Sequence, residues 1–504
     1  MDWRSRGVGI LFAALAVLQL VPVWAVRYLP TGDGACHVYN AWILRGLALG
    51  RASSGIAAHY QIDWRLNPNW ISHAFLAVAL SFVSPAVAEK LLFSLILLIF
   101  LGGAWLFARA NDSGNGIYAF LAFPLAFHWL LMCGFYNFAL SVGLYMIVIA
   151  FWWRRRDDPS ASTIVAVALL LLLCYFAHPM SAALAIGSIG ILWSALLRGR
   201  TLRRHALHLL AFVPTIGLLQ WFLSSHAGGE IAGGATVPRA ELLSQIVRTQ
   251  LIETFDERQL LLGRLLFGIV IVLIVFTLIR EWRATGRRLR EADAFFLVVM
   301  VMLAVDLWAP SETPGRAWIN QRLSLFLILA PLPWLTSRLP GIAKAALVSL
   351  FSIIAIANVG FQLHHFRRES DVVERFLAPL QTVRPGSVLL PLNFHRTMPP
   401  ATFGVTAHAV DHIAIEKGLI DLDNYEPRTG YFPIRYRPGS ALPDVPGIED
   451  RPGLVDLSSG PAADYVFTWM MPADAPVASK LAKDFDLRVS RDGARLYERR
   501  EWRH

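Results

Sequence analysis

Apolar runs of bilayer length recur along this chain, and few backbones can satisfy that pattern. In hydrocarbon an amide or carbonyl finds no water, so a spanning segment must be a helix or a strand of a closed barrel. The runs are Val8 to Val26, Leu91 to Ala108, Ile117 to Cys133, Phe138 to Trp153, Ser162 to Ala177, Met180 to Leu197, Ala206 to Leu223, Leu260 to Ile279, Ala294 to Ala309, Leu323 to Leu335 and Ile342 to Phe361. They are continuously apolar rather than alternating, and most approach the roughly 20 residues of a spanning helix. About eleven spans are therefore expected. Only 16% of residues are charged and the mean hydropathy is +0.49, against about a quarter charged in a soluble domain. The chain reads as an α-helical polytopic membrane protein. Its first run is 19 residues long, with no small-residue cleavage site before Arg27-Tyr28-Leu29-Pro30, and reads as a retained span.

The formal charge of +10 does not point to nucleic acid, because the arginines sit in short bursts between apolar runs. Such bursts set orientation. Trp70 to Ser84 is apolar but only 15 residues long. If it does not cross, Arg109, Arg154 to Arg156, Arg198 to Arg204, Arg280 to Arg290 and Arg338 share the side of the N-terminus, as the positive-inside rule requires. It is expected to lie along the outer surface as an interfacial helix. The N-terminus is then cytoplasmic, and the loop Arg27 to Lys90 and the C-terminus are extracytoplasmic. The inner loops hold no Gly-rich phosphate cradle, which argues against a nucleotide-driven pump. Cys36, Cys133 and Cys174 lack metal-ligand or disulfide spacing.

On the outer side, Thr31-Gly32-Asp33-Gly34-Ala35-Cys36-His37 places an acidic turn at the end of the first span. A carboxylate beside hydrocarbon is costly unless solvated or paired, so Asp33 and His37, one helical turn later, are the first candidates for chemistry. The competing reading makes Asp33 an N-cap for the helix that follows. Asp63 and Arg65 are candidate substrate contacts, with a local ion pair as competitor. His73 and His178 read as satisfied interface histidines. Asp306, within a late apolar run, is expected to pair with Arg316 or Arg322.

From about residue 362 the chain has ordinary polarity and many prolines, and a small extracytoplasmic α/β domain is expected over 362–504. Ser370 to Leu380 and Val477 to Phe485 read as helices, Ser387 to Leu392 and Asp464 to Trp469 as buried strands, and Leu487 to Glu498 as a hairpin. His408 to Arg437, rich in His, Asp, Tyr and Arg without periodicity, reads as a functional loop.

Taken together, the N-terminus inside, the acidic turn around Asp33, Asn67-Pro68-Asn69-Trp70 opening an interfacial helix, and the outer C-terminal domain resemble the GT-C superfamily of membrane glycosyltransferases. That superfamily includes protein O-mannosyltransferases and aminoarabinose and arabinosyl transferases. The resemblance covers residues 1–361 by architecture. It departs from many members, which carry two adjacent acidic residues in the first loop, in that Asp33 stands alone between glycines. After the third span, where many members are acidic, this chain offers Tyr136 and Asn137.

The resemblance implies transfer of a sugar from a polyprenyl-phosphate donor to an acceptor at the outer face of a bacterial inner membrane, with inversion. Asp33 would be the base and His37 its helper. Arg316 and Arg322 would hold the phosphate, and Asp63, Arg65, Tyr136 and Asn137 would contact substrate. It leaves a divalent metal open, and the acceptor unnamed. Two alternatives remain at this level: a non-catalytic assembly or binding protein on the same scaffold, and a secondary transporter.

Overall fold

The computed structural model describes all residues except 1–2, 198–205, 226–236, 287, 311–317, 441, 443–444, 446–447, 458–462 and 501–504. Among the described residues, seven helices are long and apolar enough to cross a membrane: Arg6–Trp24, Pro85–Ala108, Tyr136–Arg155, Pro179–Leu196, Leu207–Ser225, Gln259–Thr285 and Gly341–Thr382. This is an integral membrane protein. Shorter apolar helices cover Trp70–Ala79, Ala161–Ala177 and Ile319–Leu329.

Two apolar runs take forms their hydropathy does not announce. Ile117 to Cys133 does not make a continuous α-helix but a 3₁₀ segment, Ser113–Leu125, followed by one α turn at Trp129–Met132. Pro124 lies inside the 3₁₀ segment and cannot donate to an α ladder. The run Leu323 to Leu335 is α-helical only to Leu329, ahead of Pro331 and Pro333. Ser370 to Leu380 is not a separate helix either. It continues the last apolar one, as a single 37-residue helix Gly341–Leu377.

The chain divides into two compact units. The first comprises Met1–Pro22, Ser94–Leu131 and Tyr136–Gln362. Its apolar helices are joined by interhelical polar contacts: Ser141 meets Ser181 at 2.6 Å, and Tyr145 meets Ser188 at 3.0 Å. The Asp306 carboxylate accepts from Asn320 at 3.1 Å and Ser324 at 2.9 Å. Such bonds hold helices together where the hydrophobic effect between them is weak. Leu261 and Val272 on Gln259–Thr285 keep more than 60% of their surface uncovered by protein, as lipid-facing positions do.

The second unit comprises Val23–Phe93, Met132–Phe135 and Leu363–His504. Its main sheet has the order β3-β2-β5-β7-β6, built from β2 (Val388–Asn393), β3 (Ile420–Asp421), β5 (Tyr465–Trp469), β6 (Phe485–Arg491) and β7 (Ala494–Arg499). β3, β2 and β5 run parallel, and β5, β7 and β6 pair antiparallel. β2 and β5 are buried almost throughout, as central strands covered on both faces must be. The helix Pro476–Asp484 covers one face with Val477 and Leu481 against Leu390, Leu392 and Val466. Phe376, near the end of the long helix, stacks edge-on against Phe467 and Trp469. A second, two-stranded sheet joins β1 (Tyr60–Ile62) to β4 (Ile434–Tyr436), with Gln61 opposite Arg435. The first loop and the C-terminal segment thus share hydrogen bonds within one unit.

Candidate active site

The turn bearing Asp33 is fixed by its backbone. The Gly32 amide donates to the Met132 carbonyl at 3.0 Å, and the Asp33 amide to the Cys133 carbonyl at 2.9 Å. A Cβ on Gly32 would fall 2.6 Å from the Cys133 oxygen. On Gly134, whose φ is +91°, it would fall 2.5 Å from the Asp33 nitrogen. Only glycine at both positions lets the two segments touch.

Asp33 occupies the N-cap position of the helix Gly34–Ala48, and its carbonyl accepts the His37 amide at 3.1 Å. Its side chain caps nothing. Instead Oδ2 accepts the Tyr425 hydroxyl at 3.2 Å, and Oδ1 lies 3.6 Å from Nε2 of His408. Burial lifts the Asp33 carboxyl to about 6, with the His37 charge opposing.

The helix Gly34–Ala48 lays Cys36, His37, Tyr39 and Asn40 against residues 419–426. His37 Nδ1 is 2.5 Å from Oε1 of Glu426, whose Oε2 is 2.8 Å from His73 Nε2. Nδ1 of His73 bonds the Asn69 carbonyl at 3.1 Å. Burial raises Glu426, but His73 and His37 outweigh it and hold the carboxyl at about 2. Burial likewise lowers His37, and Glu426 more than reverses it. The expected satisfied histidine at 73 is thus half of a buried two-histidine clamp on one carboxylate. Tyr39 donates to the Leu419 carbonyl at 2.7 Å, and Asn40 meets Asn424.

A second acidic group lies beside it. Asp423 accepts from Arg396 at 2.9 Å, and Arg396 also reaches Glu449 at 3.2 Å. Asp421 accepts the Asp423 amide at 2.9 Å. Asp411, Asp421 and Asp423 are all buried. Burial lifts Asp421 to about 6, and burial together with the Asp421 charge raises Asp411 further. His408 is driven down to about 3 by burial and Arg396. The stretch His408 to Arg437 is no irregular loop throughout, since it carries short helices at Asp411–Lys417 and Glu426–Thr429 besides β3 and β4.

Of the other expected site residues, Asp63 and Arg65 are bonded to each other, with Arg65 Nε 2.8 Å from Oδ1 and Nη2 2.5 Å from Oδ2. Burial would raise Asp63, but the Arg65 bonds lower it. Asn67 adds a third contact at 3.2 Å. Arg322 belongs to the first unit, where it donates to His178 at 3.2 Å and lies over the Phe138 ring. Tyr136 and Asn137 are buried at the start of Tyr136–Arg155 in the same unit. Arg316 lies outside the described residues. Among the described residues, two groups of three side chains could hold a metal ion, Cys36 with His408 and Asp411, and His37 with His73 and Glu426. Asp33 is in neither.

No protein-family model matches the chain, and no curated protein matches it by sequence. Solved structures do. ArnT from Cupriavidus metallidurans bound to undecaprenyl phosphate superimposes with a TM-score of 0.50 at 15% identity, over 97% of this chain and 98% of that one. The fold is the GT-C fold. The apo form of the same ArnT gives 0.49 at 14% identity, with 98% of each chain covered. On the match to the undecaprenyl-phosphate-bound form, the GT-C architecture expected from the apolar runs, the acidic turn and the C-terminal segment is present, at an identity that speaks for fold alone.

Proposed function

We propose that the chain transfers a sugar from a polyprenyl-phosphate donor to an acceptor hydroxyl at the outer membrane face, with Asp33 as the base. The observation that carries this reading is selective exposure. Of the clustered carboxyls of Asp33, Asp411, Asp421, Asp423 and Glu426, four are buried, whereas the Asp33 side chain keeps 18% of its surface exposed. A base must reach its substrate. The GT-C fold and the undecaprenyl phosphate held by the structural neighbour support a lipid-linked donor.

In the proposed step the acceptor hydroxyl gives its proton to Asp33 while its oxygen attacks the anomeric carbon from the side opposite the phosphate. The bond from that carbon to the phosphate oxygen breaks, and polyprenyl phosphate leaves, so the configuration inverts. Tyr425 orients the carboxylate through its hydroxyl bond. The departing phosphate calls for guanidinium groups, and Arg316 and Arg322 are assigned to it by their place in the chain. Asp63, Arg65, Tyr136 and Asn137 are assigned to substrate contact, and His37 to holding the turn. We further assign a cytoplasmic N-terminus, a membrane domain over 1–361 and an extracytoplasmic domain over 362–504, in a bacterial inner membrane.

Mass spectrometry of lipids from a deletion strain tests the reading. A polyprenyl-linked sugar should accumulate, and the intact gene but not the Asp33→Asn variant should clear it. An unchanged lipid profile, or full clearance by the variant, overturns it.

A further inference from the structure

Beside Asp33 lies a cluster of donors that the transfer step does not use. Cys36, His408 and Asp411 come from two distant parts of the second unit, yet one ligand atom of each lies within 4.8 Å of the others. All three are buried, with Cys36 and Asp411 wholly so. His408 and Asp411 stand side by side because the Asp411 amide bonds the His408 carbonyl at 3.1 Å in a single turn.

The charge around Asp411 is one-sided. Asp411 shares a side-chain hydrogen bond with the Asp421 carboxyl, and Nδ1 of His408 makes no hydrogen bond but lies 3.8 Å from an Asp423 oxygen. The charges acting most strongly on Asp411 are those of Asp421, Asp423 and Glu426, all carboxyls. Arg396, the nearby guanidinium, is already divided between Asp423 and Glu449. Buried carboxyls that share a proton with one another still leave negative charge with no cation beside Asp411, and burying such charge is costly. A cation seated among these donors offsets that charge and offers the His408 imidazole a ligand bond.

The chemistry of the set selects the ion. One thiol, one imidazole and one carboxylate suit zinc, a borderline-soft ion, and exclude magnesium and calcium, which take oxygen ligands. Tetrahedral bonds of about 2.0–2.3 Å put ligand atoms roughly 3.3–3.8 Å apart, so a closure of about 1 Å from the present spacing suffices. The other three-donor group is different. Both Glu426 oxygens are already bonded to His37 and His73, so that carboxylate needs no ion.

We propose that Cys36, His408 and Asp411 form a zinc site that ties the helix following Asp33 to the segment His408–Asp411. Binding releases the Cys36 thiol proton, and that of Asp411 where it is protonated, leaving a thiolate and a carboxylate on the ion. Three protein ligands leave one tetrahedral position for water. The inference is independent of the sugar-transfer reading.

The test uses the full chain in detergent, with Zn²⁺ or Co²⁺ alone as the probe. After loading and dialysis against a weak chelator, elemental analysis should find about one zinc per chain. Cobalt in the same protein should show the intense near-ultraviolet absorption of a cobalt–thiolate bond. Cys36→Ser and Asp411→Asn should each weaken zinc binding on the order of 100-fold, whereas His73→Asn should leave it unchanged. Thermal melting of the metal-free variants shows whether they fold. The cobalt spectrum of the unsubstituted protein needs no variant and stands if they do not. No retained metal, cobalt without thiolate absorption, or loss of zinc in His73→Asn but not in Cys36→Ser overturns the proposal.

Discussion

Asn40 and Asn424 exchange a reciprocal pair of hydrogen bonds, Asn40 Nδ2 to Asn424 Oδ1 at 2.9 Å and Asn424 Nδ2 to Asn40 Oδ1 at 3.0 Å. Both are wholly buried. The pair joins the helix after Asp33 to the segment that supplies Tyr425 and Glu426, so it bears on the geometry of the whole site. Removing one amide leaves its partner buried and unsatisfied, which costs about 1–3 kcal/mol. Asn40→Ala and Asn424→Ala should each lower the melting temperature. The double variant should lose less than the two single losses combined, because contacting residues are not additive. Strictly additive losses would show the pair to be idle.

Asp33→Asn keeps the size and hydrogen bonding of the carboxylate but cannot take a proton. Transfer should fall about 100-fold or more, the lower end of what a positioned base supplies, with donor binding retained. Tyr425→Phe removes one hydrogen bond to Asp33 and should slow transfer only several-fold, as a loss of about 1 kcal/mol implies. Equal effects from the two variants would move the chemistry from Asp33 to the pair.

Gly134→Ala should displace the Asp33 turn, because its Cβ would press on the Asp33 and Gly34 amides and its φ of +91° resists a side chain. A large fall in kcat with little change in donor affinity is expected. A fully active Gly134→Ala variant would show that the turn tolerates movement.

Glu426→Gln leaves His37 and His73 facing a neutral amide. Breaking a buried ion pair from one side costs about 3–5 kcal/mol, so this single change should destabilise the second unit more than any substitution at the exposed Trp64. Thermal melting in detergent reads the difference directly, and a melting temperature equal to the parent's would show the clamp to be dispensable.

Reporter fusions after Arg155 and Arg283 should report the cytoplasm, and fusions after Leu380 the outer side, as the arginine bursts require. A cytoplasmic C-terminus would reverse the assigned orientation and remove Asp33 from the outer face.

How much of this was legible beforehand follows from the range of the forces involved. Lipid imposes its demand locally, so apolar runs such as Leu260 to Ile279 reveal helices directly, and the turn at Asp492-Gly493 reveals its hairpin. Hydropathy is blind to backbone donors, so it does not show that the run containing Pro124 turns 3₁₀; only the proline itself carries that signal. Position alone drew attention to Asp33, and composition drew it to residues 408–437. The pairing of His73 with Glu426 was invisible, since the two lie 353 residues apart and neither carries a local pattern. The three scattered cysteines showed no ligand spacing because His408 and Asp411 reach Cys36 only through the fold.

The short ladder between β1 and β4 has a consequence for how the protein is made. Its strands join residues such as Gln61 and Tyr436, 375 positions apart. At about 5–20 residues per second, the ribosome needs roughly 20–75 s to deliver the second strand after the first. Throughout that interval the edge of β1 has no mate, and His37, His73 and Asn40 wait for partners not yet synthesised. The acidic turn is therefore assembled late, and a nascent chain cut short before Glu426 would enter the membrane without a finished site.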